Sequence, residues 1–167
     1  MFIFDTNTFI TASRQFYGFD IAPGFWDWIR DPALLDAASS AHVKAEIDAG
    51  RYPLEEDLLK QWAAEVHANF WLDDTPAVVD AMKELTEWVE APERIYTQPA
   101  REDFLRSVDY RLIAQAKVSG AVLVTHEISD PNCKRKVKIP DACRAVGAAS
   151  TDPFSAYRAL GLRLVAA

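Results

Sequence analysis

The sequence predicts an α/β fold built on a central, mainly parallel sheet, and three observations support this prediction. Two short segments, residues 2–4 and 121–125, are continuously apolar, which is typical of strands buried on both faces. Helical periodicity fills most of the chain between them. The second strand follows a helix after a short turn, and this order is half of a parallel β-α-β unit.

The composition is that of an ordinary globular protein. The chain has 167 residues, of which 50% are hydrophobic and 26% are charged, and we expect a single domain over residues 1–167. No apolar run approaches the roughly 20 residues that span a bilayer. Asp5 also interrupts any signal-type segment at the start, so we expect a cytoplasmic protein. The net charge of −7 argues against a protein that coats nucleic acid non-specifically.

Caps, prolines and apolar spacing predict five helices in the first 90 residues. Pro23 and Pro76 stand where two of these helices begin, and Gly50 ends another. The five helices cover residues 9–12, 23–31, 41–49, 54–70 and 76–89.

The last third of the chain mixes helices and strands. One helix, or two abutting ones, covers residues 104–117 and ends near Gly120, before the strand at 121–125. A short third strand is predicted at 137–139, and helices are predicted from Pro140 and over 154–160. An edge strand is predicted at 162–165. Cys133 and Cys143 lack a metal-binding spacing and are expected to be free thiols.

Several acids are placed to converge at one edge of the sheet. Asp5 and Glu127 follow the two buried strands, and the carboxyl ends of parallel strands form one edge. Asp109 lies beside the buried stripe of its helix. Glu46 lies about 60° from the buried Val43 around its helix, whereas Asp48 lies about 140° away. Glu46 is therefore the better candidate for an inward carboxylate.

Each acid also has an ordinary structural explanation. Asp5 can cap a helix, and Asp109 can interact with a helix dipole. A cluster of acids is unfavourable unless it is protonated or binds a metal, and hard divalent cations prefer oxygen ligands. The three histidines, His42, His67 and His126, are scattered and predict no zinc site.

Six segments, in the same order along the chain, resemble PIN-domain ribonucleases and, more closely, the PIN-like DUF4411 family. They span nearly the whole sequence, although each is short. The segments are FDTN at 4–7, PGFWDW at 23–28, VKAE at 43–46, DYRLIA at 109–114, VTHE at 124–127 and KIPDAC at 138–143.

The resemblance implies a PIN-like α/β/α sandwich that cleaves RNA with Mg²⁺ or Mn²⁺, often as the toxin of a toxin–antitoxin pair. Asp5, Glu46 and Asp109 match the three core metal-binding acids of these ribonucleases. Glu127 stands where many PIN domains have Asp, and we expect this longer side chain to act on the metal through a water. Supporting polar residues implied by the resemblance are Asn7, Thr125 and Asp141.

The function we expect is therefore that of a metal-dependent endoribonuclease, with RNA as substrate and an antitoxin protein as a possible partner. The densest basic segment follows Glu127 and either holds the RNA backbone or forms a charged edge that blocks strand pairing. Its members are Lys134, Arg135, Lys136 and Lys138.

Three further alternatives stay open. A phosphatase of the haloacid dehalogenase type also begins with a strand that ends in Asp, but it needs a second Asp where this chain has Asn7. A binding protein on a PIN scaffold would lack catalysis. Most tryptophans are expected to be core anchors, but the aromatic surplus around Trp26 and Trp28 leaves a homo-oligomer open.

Overall fold

A central, all-parallel sheet organises the fold. The computed structural model describes residues 1–165, so residues 166–167 of the predicted domain lie outside the described residues. Within that range the sheet has five strands in the order β3-β2-β1-β4-β5, flanked by helices, which confirms the predicted α/β/α sandwich with a central parallel sheet. The strands are β1 (Phe2–Phe4), β2 (Ala37–Ser40), β3 (Trp71–Leu72), β4 (Val122–Val124) and β5 (Ala149–Thr151).

The helices lie between successive strands and after the last one. A π-helical turn, Ala12–Phe16, continues the first helix, and 3₁₀ turns at Leu54–Glu56 and Ala68–Phe70 flank the fourth. The helices are α1 (Thr6–Thr11), α2 (Pro23–Ile29), α3 (Ala41–Asp48), α4 (Leu58–Glu65), α5 (Pro76–Glu90), α6 (Gln98–Arg106), α7 (Val108–Ser119), α8 (Ile139–Ala145) and α9 (Pro153–Ala159).

Local capping explains where most helices begin and end. The side chain of Ser40 accepts a hydrogen bond at the start of α3, and prolines occupy the first turns of α2 and α5. Ser107 separates α6 from α7, because its backbone is extended and its side chain caps α7. Gly120 ends α7 with a φ of 66°, which glycine adopts without steric cost.

The single helix predicted over residues 54–70 is wrong. Asp57 has an extended backbone and accepts hydrogen bonds from the N–H groups of Leu59 and Lys60, so a new helix starts there. Val66 is also extended, with a ψ of 136°, and ends α4 after eight residues. The apolar periodicity continues across these breaks, but polar capping and backbone conformation interrupt the helix.

Two predicted strands are wrong, and three real ones were not predicted. Residues 137–139 form no strand, because Ile139 already begins α8 and β5 occupies the sheet position beside β4. The basic segment therefore does not protect a sheet edge. Residues 162–165 form no strand either. The sequences of β2, β3 and β5 are AASS, WL and AST; all three are too short to predict strands, and β2 and β5 are also too polar.

Aromatic side chains fill the core. Trp26 and Trp62 are buried, and their indole N–H groups donate to the carbonyls of Tyr17 and Trp26 at 2.7 and 3.2 Å. Trp26 is thus a core anchor, and the homo-oligomer stays a prediction.

Both cysteines are free thiols, as predicted. In the part of the chain that the structure describes, no helix is both long and apolar enough to span a membrane.

The strand order creates a crevice at the centre of the sheet. Phe4, the last residue of β1, pairs in register with Ser39 of β2 on one side and with Val124 of β4 on the other. The chain passes from β1 first to β2 and later to β4, so the direction of winding reverses between β1 and β4. Ligands of open α/β sheets bind at the carboxyl ends of strands at such a reversal.

Candidate functional site

Asp5 lies at this reversal and is fixed by two threonines. Its Oδ1 accepts hydrogen bonds from the Thr8 N–H at 2.7 Å and the Thr8 Oγ1 at 2.5 Å, and its Oδ2 accepts one from Thr125 Oγ1 at 2.8 Å. The residue is only 1% exposed. Burial raises the pKa of Asp5 above its ordinary value, although these hydrogen bonds oppose the shift. The carboxylate therefore has a defined orientation at a site that disfavours its charge.

Asp109 lies in the first turn of α7 and also has a raised pKa. Burial raises the pKa of Asp109 to about 7, and the negative charges of Asp5, Glu127 and Glu46 contribute further. Its carboxylate accepts no hydrogen bond from any of residues 1–165. Because the charge of each of the other three acids raises the pKa of Asp109, the four carboxylates lie near enough to interact electrostatically.

Glu46 and Asp48 point in different directions from α3. The Thr6 Oγ1 donates a hydrogen bond to Glu46 Oε2 at 2.5 Å, which holds this carboxylate toward the end of β1 although the residue is exposed. Asp48 instead pairs with Lys44 at 2.7 Å, one helical turn away. This geometry agrees with the prediction that Glu46, rather than Asp48, is the inward carboxylate of α3. The contact with Thr6 was not predicted.

Glu127 follows β4, and both of its carboxylate oxygens have partners. One oxygen forms an ion pair with the Lys136 ammonium, and the other accepts a hydrogen bond from the Ile139 N–H at 2.9 Å. Partial burial opposes the charged form of Lys136, but the hydrogen bond and charge of Glu127, helped by the charges of Asp109 and Asp5, raise its pKa. Lys136, predicted to bind RNA, is therefore paired with one of the four acids and feels the charge of two others.

The predicted supporting residues occupy different places. Thr125 contacts Asp5 directly, whereas Asn7 is exposed and lines an open cavity of about 720 Å³ that also contains Glu127 and Lys138. Asp141 lies apart from the four acids and accepts hydrogen bonds from the Ser129 hydroxyl at 2.5 Å and the Asp130 N–H at 2.9 Å. Lys134 and Arg135 are exposed.

Sequence reasoning missed a second polar cluster, centred on Asp74. This residue follows β3 and accepts hydrogen bonds from His42 Nε2 at 2.9 Å, Arg111 Nη1 at 2.5 Å and Gln115 Nε2 at 3.0 Å. Although burial opposes ionisation, these partners lower the pKa of Asp74. The cluster joins α3, which carries Glu46, to α7. The only sequence signal for this cluster is that Asp74 follows a strand, and β3, with two residues, is too short to be predicted.

The donor set suits a hard divalent cation that keeps part of its water. Within residues 1–165, no three His, Cys, Asp or Glu side chains are grouped closely enough to bind one ion together. Mg²⁺, however, is usually held by one or two carboxylates and several waters. Asp109 has a raised pKa and no hydrogen-bond donor among residues 1–165, so a cation beside it would relieve an unfavourable charge. Asp109 with one neighbouring acid and bound waters therefore fits such an ion, and Lys136 is an internal competitor.

The pKa of Asp109 makes stability depend on pH in metal-free buffer. Its folded-state pKa of about 7 exceeds the ordinary value of 3.8, so the folded protein holds this proton more tightly than the unfolded chain does. Stability is therefore lost as pH rises between these two values. We expect Asp109→Asn to raise the free energy of unfolding above about pH 7 by roughly 1–3 kcal/mol, allowing for partial exposure.

Urea denaturation in EDTA from about pH 4 to 8 measures this effect. The advantage of Asp109→Asn should grow up to about pH 7 and then level off. Asp48→Asn, which changes an exposed acid paired with Lys44, should show no such trend. A difference between Asp109→Asn and wild type that does not vary with pH would contradict the raised pKa.

The comparisons with known proteins add the family. No curated protein and no solved structure is significantly similar to this chain. The profile of one family, described as "Domain of unknown function (DUF4411)", matches residues 2–164, which include all four acids, the Asp74 cluster and every strand of the sheet. Because the match covers nearly the whole sequence, the chain belongs to the DUF4411 family.

Proposed function

We propose that this protein is a divalent-metal-dependent endoribonuclease that hydrolyses RNA phosphodiesters and acts as the toxin of a toxin–antitoxin pair. The observation that carries the enzymatic part is the position of Asp109 where the sheet reverses its winding: burial, together with the charges of Asp5, Glu127 and Glu46, raises its pKa to about 7. The toxin role and the antitoxin partner rest on the resemblance to PIN-domain ribonucleases.

Mg²⁺ or Mn²⁺ would be held at the acids Asp5, Glu46, Asp109 and Glu127, by one or two of them directly and by the others through bound waters. Bound there, the ion would activate a water and neutralise negative charge on the phosphate. The chain itself fixes the acids: Thr8 and Thr125 orient Asp5, and Thr6 orients Glu46. Asp109 has a pKa of about 7 without metal, and a bound cation would favour its ionised form.

The surroundings of the acids suit single-stranded RNA. Phe16, at the end of the π-helical turn, is 44% exposed and stacks on His126 with ring centroids 6.0 Å apart. His126 directly precedes Glu127, so this aromatic surface adjoins the acids. Bases of single strands stack on such surfaces, and Lys134 and Arg135 are exposed where they can contact phosphates.

One observation favours the alternative, a binding protein on the same scaffold without catalysis. The Lys136 ammonium pairs with Glu127 and is attracted by Asp109 and Asp5, so the chain partly neutralises its own acids. A scaffold that uses this lysine in place of a metal should show no saturable metal binding. The two candidates therefore differ in metal affinity as well as in activity.

We expect Asp5→Ala, Asp109→Ala and Glu46→Gln to abolish RNA cleavage while the protein stays folded. The physical reason is that each removes a charged oxygen ligand of the proposed ion. The measurement is cleavage of a mixed RNA pool with Mg²⁺ or Mn²⁺ and with EDTA, followed by mapping of the cut ends. Circular dichroism confirms folding.

Asp48→Asn is the matched control for Glu46→Gln, because both alter acids on α3 but Asp48 pairs with Lys44 away from the site. Its cleavage rate should equal that of wild type. If wild type and the three site variants cleave equally after contaminating nuclease is removed, the catalytic assignment is wrong. If Asp48→Asn loses activity and Glu46→Gln keeps it, the assignment of Glu46 to the face of α3 that points toward the site is wrong.

We also expect Lys136→Met to bind Mn²⁺ more tightly than wild type, by about tenfold, because the competing ammonium is removed from Glu127. Isothermal titration calorimetry measures the dissociation constants. Lys134→Met is the control, since Lys134 is exposed and its side chain makes no ion pair with any of the described residues. No saturable Mn²⁺ binding by wild type or by Lys136→Met would favour the scaffold without catalysis.

A further inference from the structure

A second cavity, of about 310 Å³, lies apart from the four acids between the α5–α6 connection and α8. None of the four acids lines it. Its volume is at the lower end of the range for small-molecule sites. The side chains around it include two arginines and two large aromatics: Trp88, Arg94, Tyr96, Pro131, Asp141 and Arg144.

The donors of this cavity have few protein partners. The Arg94 guanidinium donates no hydrogen bond to the described residues, its Nε is buried without an acceptor, and its nearest carboxylate, Glu93, is 3.6 Å away. Arg144 makes only long contacts, at 3.3 Å to Asp141 and 3.4 Å to Ser129. Buried donors are normally paired, so the unpaired Arg94 Nε favours an anionic ligand, and the exposed Arg144 supplies a second guanidinium group at the mouth of the cavity.

The aromatic side chains add a surface for a planar group. The Arg94 Cζ lies 5.5 Å from the centre of the Trp88 ring, and Trp88 meets Tyr96 edge-to-face at 5.8 Å. The Tyr96 hydroxyl donates no hydrogen bond within residues 1–165. Burial, followed by the charge of Asp141, raises the pKa of Tyr96, so the phenol keeps its proton at neutral pH. The cavity thus combines cationic, aromatic and neutral donor groups.

Both walls of the cavity are held in place by polar side chains, the partly buried Arg101 and the buried Asp141. Arg101 donates to the carbonyls of Tyr96, Glu90 and Arg94 at 3.2, 2.9 and 3.0 Å, and thereby clamps the connection that carries Arg94. On the other side, Asp141 binds Ser129 and Asp130 beside Pro131. A site whose walls are fixed before binding loses less entropy on binding.

We propose that this cavity binds one nucleoside monophosphate unit, with the phosphate against Arg94 and Arg144 and the base against Trp88 and Tyr96. Two guanidinium groups match phosphate oxygens, and aromatic and guanidinium faces stack on bases. The choice of a nucleotide among aromatic anions rests on the proposed RNA substrate. Binding at this cavity does not require the four acids.

The site would therefore hold either a nucleotide of the bound RNA strand, remote from the scissile phosphate, or a free mononucleotide. The segment that follows Glu127 links the two places, because it carries Pro131 and ends at Asp141. An RNA strand that occupied both the cavity and the acids would be held at two points, which would fix its position relative to the cleavage site.

The test is calorimetric titration of the full-length protein with AMP, GMP, CMP and UMP in EDTA. We expect at least one of the four to bind, and Arg144→Gln and Trp88→Leu each to weaken it by about tenfold. Arg144 is 66% exposed, so its variant should fold normally. Arg106→Gln, an exposed arginine that does not line the cavity, is the control, and its affinity should be unchanged.

Three results would overturn the inference: no binding of any nucleotide up to about 5 mM, equal binding by wild type and Arg144→Gln, or inorganic phosphate binding as tightly as the best nucleotide. Asp109→Asn should bind nucleotides normally even if RNA cleavage is never observed, which separates this inference from the proposed function. If the nucleotide and a short single-stranded RNA compete for binding to Asp109→Asn, the cavity holds a nucleotide of the RNA strand. Binding of both without competition assigns it to a free nucleotide.

Discussion

The structure of the site depends on the buried carboxylate of Asp5 and the hydroxyl groups that hold it. Asp5 ends the central strand, and Thr8 and Thr125 bring the start of α1 and the end of β4 to the same carboxylate. A 1% exposed acid without such partners would be costly to ionise. With them it keeps a fixed direction while burial still raises its pKa. The other acids then surround a charge that the fold itself positions.

The neighbouring contacts set the balance of charge at this edge. Asp109 has no hydrogen-bond donor among the described residues and responds to every nearby acid, whereas Glu127 is neutralised by Lys136. The Asp74 cluster lies outside this group but ties α3 to α7 through His42 and Arg111. Because α3 carries Glu46 and α7 carries Asp109, the spacing of these two acids depends on a cluster that contains neither of them.

The sequence predicted the parts of the fold that depend on strong local signals. Continuous apolar runs identified β1 and β4, and capping residues identified most helix starts, so Asp5 and the segment through Glu127 were placed at one sheet edge. Strands β2, β3 and β5 were missed because tertiary pairing with a buried neighbour, not their own composition, makes them strands. Asp74 was missed with β3. The partners of Glu127 lie at the end of the connection from β4 to α8, whose conformation cannot be predicted from hydrophobic periodicity.

The central claim is that the four acids bind a divalent cation and that Asp109 gives up its proton when they do. The direct measurement is calorimetric titration with Mn²⁺ in buffers of different ionisation enthalpy, which counts the protons released per ion. With the pKa of Asp109 at about 7, binding at about pH 6 should release about one proton, and binding above about pH 8 almost none. Asp109→Asn should lose the release at the lower pH. Absence of saturable binding, or a release that does not depend on pH, would contradict the account.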